Sequence, residues 1–117
     1  MEDLRTKKTH EKYMKVRAQK TFNHTCRLCK IKPIKDFKYW KIIDNEYPWD
    51  LIAKTNHMLV PKRHVVYEEL NIIEKKELDL IKSNYVNKKY EIIAEATNRK
   101  KSIPSHFHVH LLVLRND

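Results

Sequence analysis

The stretch Ser105-His106-Phe107-His108-Val109-His110-Leu111-Leu112 alternates three histidines with apolar residues. A period of two is typical of a half-buried β-strand, so we expect the histidines on one face, about 6.5–7 Å apart at each step. The apolar residues between them then point the other way, into a core. A solvated strand face is the alternative interpretation, but the interleaved Phe and Val side chains disfavour it. The stretch therefore predicts a core strand with a functional imidazole face.

Together with a second stretch, this pattern resembles a family signature. Residues His106 to Leu112 match the histidine triad (HIT) motif His-φ-His-φ-His-φ-φ, in which φ is apolar. The stretch His57-Met58-Leu59-Val60-Pro61-Lys62-Arg63-His64 is similar to the upstream strand of that family, which typically ends in Pro-Lys-x-His. HIT proteins are nucleotide hydrolases and transferases that attack an α-phosphate. The resemblance covers about residues 26–114 and implies such an activity for this chain.

The predicted fold class is α+β, a HIT-like antiparallel sheet with a long helix across one face and a basic N-terminal helix. We expect two parts, a helical basic extension at residues 1–25 and a HIT-like catalytic domain at residues 26–117. Within the extension, the weak apolar pattern from Thr9 to Phe22 favours the helix. Strands are expected at Asp36–Asp44, His57–Lys62 and Tyr90–Ala96.

The long helix has a clear start signal. Asn71 and Glu74 are spaced as an N-cap and its capping-box acid, which predicts a helix from this point to about Lys88. Its apolar residues available to face the sheet are Ile73, Leu78, Leu80, Ile81 and Tyr85.

Charge is unevenly distributed along the 117 residues, whose formal net charge is +10. Residues 1–41 carry 13 Lys or Arg against four acids, whereas the remainder is nearly neutral. A basic segment beside a neutral body favours a polyanionic partner such as nucleic acid, and drift in composition explains it equally well. No apolar run approaches a membrane span and no signal segment is evident, so we expect a cytoplasmic protein without a membrane partner.

Glycine is absent from the sequence. This excludes a Walker phosphate-binding loop and a dinucleotide fingerprint, because both need glycine where the backbone meets phosphate. HIT proteins usually carry glycines before the upstream strand and before the triad, where this chain has Asn56 and the loop Asn98-Arg99-Lys100-Lys101-Ser102. Asparagine is the best replacement for glycine at positive φ. We therefore expect altered phosphate contacts in these loops.

A Cys-x-x-Cys pair at Cys26 and Cys29 serves zinc, redox or disulfide roles in different proteins. The βαβ context of a thioredoxin-like site is missing, and a disulfide is disfavoured in a reducing compartment. A zinc site needs four ligands. In zinc-bearing relatives of the HIT superfamily the other two are a histidine after the upstream strand and the first triad histidine, which here are His64 and His106. The resemblance thus implies one structural zinc per chain, with His24 and His57 as competing histidines.

The resemblance also assigns catalytic roles. His108, the middle histidine, is implied as the nucleophile that forms a nucleotidyl-histidine, and His110 as the residue that contacts the phosphate or leaving group. The turn Asn45-Glu46-Tyr47-Pro48 is similar to one that borders the nucleoside pocket of relatives. The implied nucleotide-binding residues are Asn45, Asn98, Ser102 and His110. Two tryptophans, Trp40 and Trp49, either stack on a base or pack in the core. The basic residues Arg99, Lys100 and Lys101 either contact phosphates or are solvated.

Three function classes remain open. The first is a hydrolase or nucleotidyltransferase acting on a nucleoside phosphoramidate, a dinucleoside polyphosphate or a nucleoside monophosphate donor. The second is aprataxin-like removal of a nucleotide from a DNA or RNA end, supported only by the basic N-terminal segment. The third is a non-catalytic nucleotide-binding protein, which the intact triad disfavours. Many relatives are homodimers, so the resemblance allows a dimer. With every assigned site residue downstream, removal of residues 1–22 is expected to leave turnover of a free nucleotide unchanged.

Overall fold

The structure is a computed structural model that describes residues 4–17, 26–97, 99 and 103–116. These residues form a five-stranded antiparallel sheet with helices, which confirms the predicted α+β class. The strands are β1 Lys35–Asp36, β2 Trp40–Asp44, β3 Ala53–Pro61, β4 Ile92–Ala94 and β5 Val109–Leu114. The helices are α1 Lys7–Arg17, α2 Arg27–Lys30, α3 Ile72–Ile81 and α4 Asn87–Lys89, with a 3₁₀ turn at Tyr67–Glu69 and a π-helical turn at Lys82–Val86.

Strands β3 and β5 form the centre of the sheet, whose order is β1-β2-β3-β5-β4. Met58 in β3 pairs with Ile43 of β2 on one side and with His110 of β5 on the other. The upstream stretch and the triad stretch, far apart in sequence, therefore lie next to each other. This pairing brings the candidate functional residues of both stretches together.

The predicted single strand Asp36–Asp44 is wrong. Residues 35–44 form a hairpin, in which β1 folds back on β2 and the Phe37 N–H donates to the Trp40 carbonyl oxygen (2.9 Å). The turn contains aromatic β-formers and neither glycine nor proline, so composition did not reveal it. The other two predicted strands exist with shifted ends, since β3 begins at Ala53 and β4 covers only Ile92–Ala94.

The long helix begins at the predicted cap. The Asn71 side-chain oxygen accepts the Glu74 N–H (2.8 Å), and the Glu74 carboxylate accepts the Asn71 N–H (2.9 Å). From there α3, the π-helical turn and α4 continue to Lys89, close to the predicted end. The carboxylate of Glu74 is buried, and its charge is balanced by Arg63, whose Nη2 lies 2.7 Å from Glu74 Oε1.

Only part of the predicted apolar face of this helix contacts the sheet. Leu78 and Ile81 are buried and Tyr85 packs against the same cluster, as expected. Ile73 and Leu80 are 53% and 60% exposed, so their assignment to the sheet side was wrong. Each of the two residues is next in sequence to a buried helix position. Because a helix has 3.6 residues per turn, neighbouring side chains point in different directions, and these two face outward.

Both faces of the sheet are covered. Under the long helix lies a cluster of Trp40, Ile42, Leu59, Phe107, Val109 and Leu111, together with the helix residues. The opposite face carries a second cluster formed by Leu28, Ile43, Met58 and Val60. This second cover, which includes α2, makes the residues from His106 to Leu112 fully buried instead of half-buried, contrary to the prediction.

The triad stretch is also less regular than predicted. Strand β5 starts at Val109, so His110 lies in the strand while His106 and His108 precede it. In that preceding segment the Phe107 N–H donates to the Val65 carbonyl oxygen (2.7 Å). The apolar residues of the stretch nevertheless enter the core under the long helix as expected.

The basic N-terminal helix is present as α1, which begins two residues before the predicted start, and the predicted residues 18–22 lie outside the described part of the chain. Helix α1 is docked on the body of the protein. The Asp50 carboxylate accepts the Thr6 N–H (2.8 Å) and the Thr9 hydroxyl, and the Leu51 N–H donates to the Leu4 carbonyl oxygen (3.0 Å). Among the described residues, no helix has the length and apolar character needed to cross a membrane.

Candidate functional site

Four side chains converge beside the start of β5, and we call them the metal cluster: Cys26, Cys29, His64 and His106. Their four ligand atoms lie within 4.8 Å of one another. His106 Nδ1 is 3.3 Å from Cys26 Sγ and 3.4 Å from Cys29 Sγ, and His64 Nδ1 is 3.4 Å from Cys29 Sγ. These are the residues implied by the resemblance, and the structure brings all four together.

The spacing of the metal cluster fits zinc. Bonds of about 2.3 Å to sulfur and about 2.0 Å to nitrogen give a tetrahedron whose S–N edges are about 3.5 Å. His106 Nε2–H donates to the Pro61 carbonyl oxygen (2.9 Å), so the lone pair of its Nδ1 faces the cysteines. Burial lowers the pKa of His106, which keeps the ring neutral as a ligand must be. The four residues thus form a potential metal-binding site that is compatible with zinc.

His108 is oriented by the backbone of the metal cluster. Its Nδ1–H donates to the carbonyl oxygen of His106 at 3.0 Å. A neutral imidazole carries one proton, so its Nε2 holds a lone pair. His108 is buried and its side chain lines the pocket described below. Chemically, this arrangement provides a nitrogen nucleophile of fixed orientation.

His110 has the opposite tautomer, because of Asn56. The Asn56 side-chain oxygen accepts the Trp49 N–H (2.9 Å) and the Asn45 amide (3.0 Å), which leaves its Nδ2 toward His110. Asn56 Nδ2 also donates to the His57 carbonyl oxygen (3.2 Å). The amide group therefore donates to His110 Nδ1 (3.1 Å), and the proton of the neutral ring is on Nε2.

The environment of His110 keeps its ring uncharged. Burial lowers the pKa of His110 to about 3, and repulsion from the Arg5 charge, and from His108 whenever that ring is protonated, adds to this effect. The ring stacks on Trp49 with centroids 3.8 Å apart. Trp49 is therefore a packing partner of the triad, and Trp40 lies in the core under the long helix. Neither tryptophan lines the pocket.

A pocket opens beside the last two triad histidines, and we call it the histidine pocket. It is lined by charged and polar, aromatic and apolar side chains, and the charged ones include the Arg27–Glu46 ion pair (2.7 Å). Arg5 lines the pocket together with His108 and His110, and part of the wall is apolar. Two aromatic rings, those of Tyr13 and Tyr47, also line it, with centroids 5.4 Å apart. The apolar lining residues are Leu28, Ile31, Met58 and Ile103, and Asn45 is the predicted nucleotide-binding residue that reaches the pocket.

The remaining predicted residues have different fates. Asn98, Ser102, Lys100, Lys101 and His24 lie outside the described residues, and Arg99 is exposed. His57 is on the helix side of the sheet, where its Nδ1 is 2.7 Å from the Tyr90 hydroxyl. No residue in the described part of the chain has positive φ, so Asn56 is no conformational replacement for glycine.

Sequence reasoning missed three residues of the site. No sequence motif marks Asn56 as a partner of His110. That contact follows only from the β3–β5 register, which places the two residues side by side. Arg5 and Tyr13 come from the N-terminal segment, for which the resemblance offers no counterpart. A buried arginine and tyrosine inside a basic run have no sequence signal of their own.

Comparison with known proteins agrees with the fold. No family model matches the sequence, and no curated protein matches it either. Among solved structures, the chain is similar to a HIT family hydrolase from Legionella pneumophila Philadelphia 1, with a TM-score of 0.54 and 20% identity. The match covers 79% of this chain and 95% of the other. The predicted HIT-like α+β fold is thereby confirmed.

Proposed function

We propose that the protein is a nucleotide hydrolase or nucleotidyltransferase that attacks an α-phosphate through a nucleotidyl-histidine intermediate on His108. The observation that carries the proposal is the pair of opposite tautomers in the histidine pocket. One imidazole offers a lone pair on Nε2 and its neighbour offers Nε2–H, with ring centroids 5.5 Å apart. The similar Legionella protein is by name a HIT family hydrolase, which adds support.

In the first step, His108 Nε2 forms a bond to the α-phosphorus, and the bond to the leaving group breaks with its electron pair. The positive charge gained by the ring is stabilised by the Nδ1–H that donates to the His106 carbonyl oxygen. In the second step, water or another acceptor attacks phosphorus, the P–N bond breaks, and its electron pair returns to Nε2. The proton of the acceptor passes to solvent.

His110 contributes a hydrogen bond. Its Nε2–H donates to a phosphate oxygen and stabilises the negative charge that develops there in the transition state. Because its pKa is about 3, the His110 ring stays neutral near pH 7, and the Nε2–H of a neutral imidazole is too weak an acid to protonate the leaving group. The leaving group that fits best is consequently a weakly basic anion, such as the phosphate of an anhydride. An amine or a sugar hydroxyl needs a proton to depart and fits less well.

Zinc in the metal cluster has a structural role in this proposal. When bound, it joins α2, the loop after β3 and the segment before β5 through four ligands. His106 then cannot transfer protons, and its carbonyl oxygen is held where it orients His108. No chemical step passes through the metal.

The experiment is turnover of a panel of adenylated and guanylated anhydrides and phosphoramidates. His108→Ala should abolish turnover and keep nucleotide binding, and His110→Ala should lower kcat about 10²–10³-fold, as expected for one lost transition-state donor. His57→Asn, a histidine on the other face of the sheet, is the matched control and should remain active. Quenching with a denaturant at alkaline pH, under which a phosphoramidate survives, should trap one nucleotidyl group on the His108 peptide. Equal residual activity in the His108 and His110 variants would contradict the assignment.

A second candidate function is removal of a nucleotide from a nucleic-acid end. It is favoured by one observation: the segment that brings Arg5 and Tyr13 to the histidine pocket also carries exposed lysines on α1. These are Lys7, Lys8, Lys12 and Lys15. A nucleic-acid strand whose end enters the histidine pocket would lie beside these lysines.

A further inference from the structure

The N-terminal segment, residues 4–17, is joined to the histidine pocket through Arg5. Arg5 is 6% exposed, and its Nε–H donates to the Tyr47 carbonyl oxygen at 2.7 Å. Its guanidinium lies 4.4 Å from the centroid of the Tyr13 ring. The contacts of Leu4, Thr6 and Thr9 with residues 50–51 hold the segment in place.

The position of Arg5 relates it to the chemistry of the pocket. It lines the same pocket as His108 and His110, and its charge acts on the His110 ring. Burying a guanidinium costs free energy, and the contacts with the Tyr47 carbonyl oxygen and the Tyr13 ring offset part of that cost. A guanidinium is also the side chain best suited to a phosphate, since its fork of N–H donors matches two phosphate oxygens.

Tyr13 supplies a different kind of contact. It is 4% exposed, its ring is tilted against that of Tyr47, and both rings line the histidine pocket. The apolar wall of Leu28, Ile31, Met58 and Ile103 faces the same space. Flat aromatic and apolar surfaces suit a base or another planar group, in contrast to the cationic surface of Arg5.

We propose that the N-terminal segment is part of the substrate site, with Arg5 contacting a phosphate of the bound nucleotide and Tyr13 forming part of the wall for its nucleoside. The inference rests on the proposed function and adds the residues that recognise the substrate. It leads to the opposite of the expectation from sequence that residues 1–22 are dispensable for turnover of a free nucleotide.

The test separates phosphate contacts from nucleoside contacts. Affinities of a nucleoside 5′-monophosphate and of the parent nucleoside, adenosine or guanosine, are measured by calorimetry on the full chain. Arg5→Lys and Arg5→Ala should weaken binding of the monophosphate roughly 10- to 100-fold, the range for a charged hydrogen bond, with little change for the nucleoside. Tyr13→Ala should weaken both ligands, and Tyr13→Phe should restore them. Met14→Ala, exposed on the same helix and outside the pocket lining, is the control and should match wild type.

The outcomes distinguish the inference from the proposed function. If Arg5→Ala weakens both ligands equally, the segment has undocked, and Arg5→Lys then decides whether phosphate recognition is lost. If both Arg5 variants bind the monophosphate like wild type, the inference is overturned and the proposed function stands. A wild-type protein that binds neither ligand and turns over no nucleotide overturns the proposed function together with the inference.

Discussion

At the scale of single residues, the amide of Asn56 determines which nitrogen of His110 carries the proton. An asparagine cannot exchange its donor for an acceptor without turning over, and here the Trp49 N–H and the His57 carbonyl oxygen prevent that. The tautomer of a buried histidine is thus set by a backbone donor and a backbone acceptor that no change of pH alters. Asn56 is a positioning residue for the proposed reaction.

A substitution at Asn56 tests this role. In Asn56→Asp, a carboxylate oxygen replaces the donating amide, so His110 Nδ1 must carry a proton. We expect ¹⁵N NMR of the His110 ring to report a protonated Nδ1, and kcat to fall about 10²–10³-fold because the neutral ring loses its Nε2–H. Asn84→Asp, at an exposed position of the long helix away from the histidine pocket, is the matched control. Unchanged kcat with the proton still on Nε2 would refute the assignment.

At the scale of elements, helix α1 combines two surfaces. Its buried side brings Tyr13 to the histidine pocket, whereas Lys7, Lys8, Lys12 and Lys15 are exposed. The body docks this helix through Asp50 and leaves those lysines to solvent. We propose that, in the second candidate function, this charged helix binds a nucleic-acid backbone.

Salt dependence tests the nucleic-acid interpretation. Each phosphate neutralised releases counterions, so three lysine contacts contribute about two units to the slope of log affinity against log salt for a single strand. The triple variant Lys8→Ala, Lys12→Ala, Lys15→Ala should weaken oligonucleotide binding and flatten this slope by about that amount. The measurement is fluorescence anisotropy over a salt series.

The control for that experiment removes the same charge elsewhere. Lys75→Ala, Lys76→Ala, Lys88→Ala takes three exposed lysines from the long helix, on the other side of the sheet. If both triple variants lose affinity equally, the attraction comes from net charge alone. If neither changes, α1 does not bind nucleic acid, and the small-nucleotide function remains.

At the scale of the whole molecule, the metal cluster joins α2 to the two central strands of the sheet. Cys26 precedes α2 as its N-cap and Cys29 lies in it, while His64 follows β3 and His106 precedes β5. Outside this cluster, α2 is held by Leu28 in the second apolar cluster, by the exposed Arg27–Glu46 ion pair (2.7 Å), and by the Lys41 ammonium, which donates to the carbonyl oxygen of Cys29 (3.3 Å). We therefore expect a bound metal to stabilise the fold and the orientation of His108 together.

Metal content and thermal unfolding test this expectation. Purified protein should hold about one zinc per chain. Cys26→Ser should lose it and lower Tm by on the order of 10 °C, since a structural zinc contributes directly to folding free energy. Lys30→Ala, exposed on the same short helix, is the control. A metal-free protein of equal Tm and equal activity would show that these cysteines are ordinary thiols.

Capping chemistry in the sequence determined the start of the long helix, and local periodicity together with the resemblance to HIT proteins determined the α+β class. The metal cluster was implied by the resemblance alone, because local spacing supplies only the Cys26 and Cys29 pair. Only the tertiary structure decided that the second face of the sheet is covered, that Asn56 sets the His110 tautomer, and that Arg5 and Tyr13 reach the histidine pocket. Such contacts join residues distant in sequence, and their formation depends on strand register and docking. A local pattern carries no information about either.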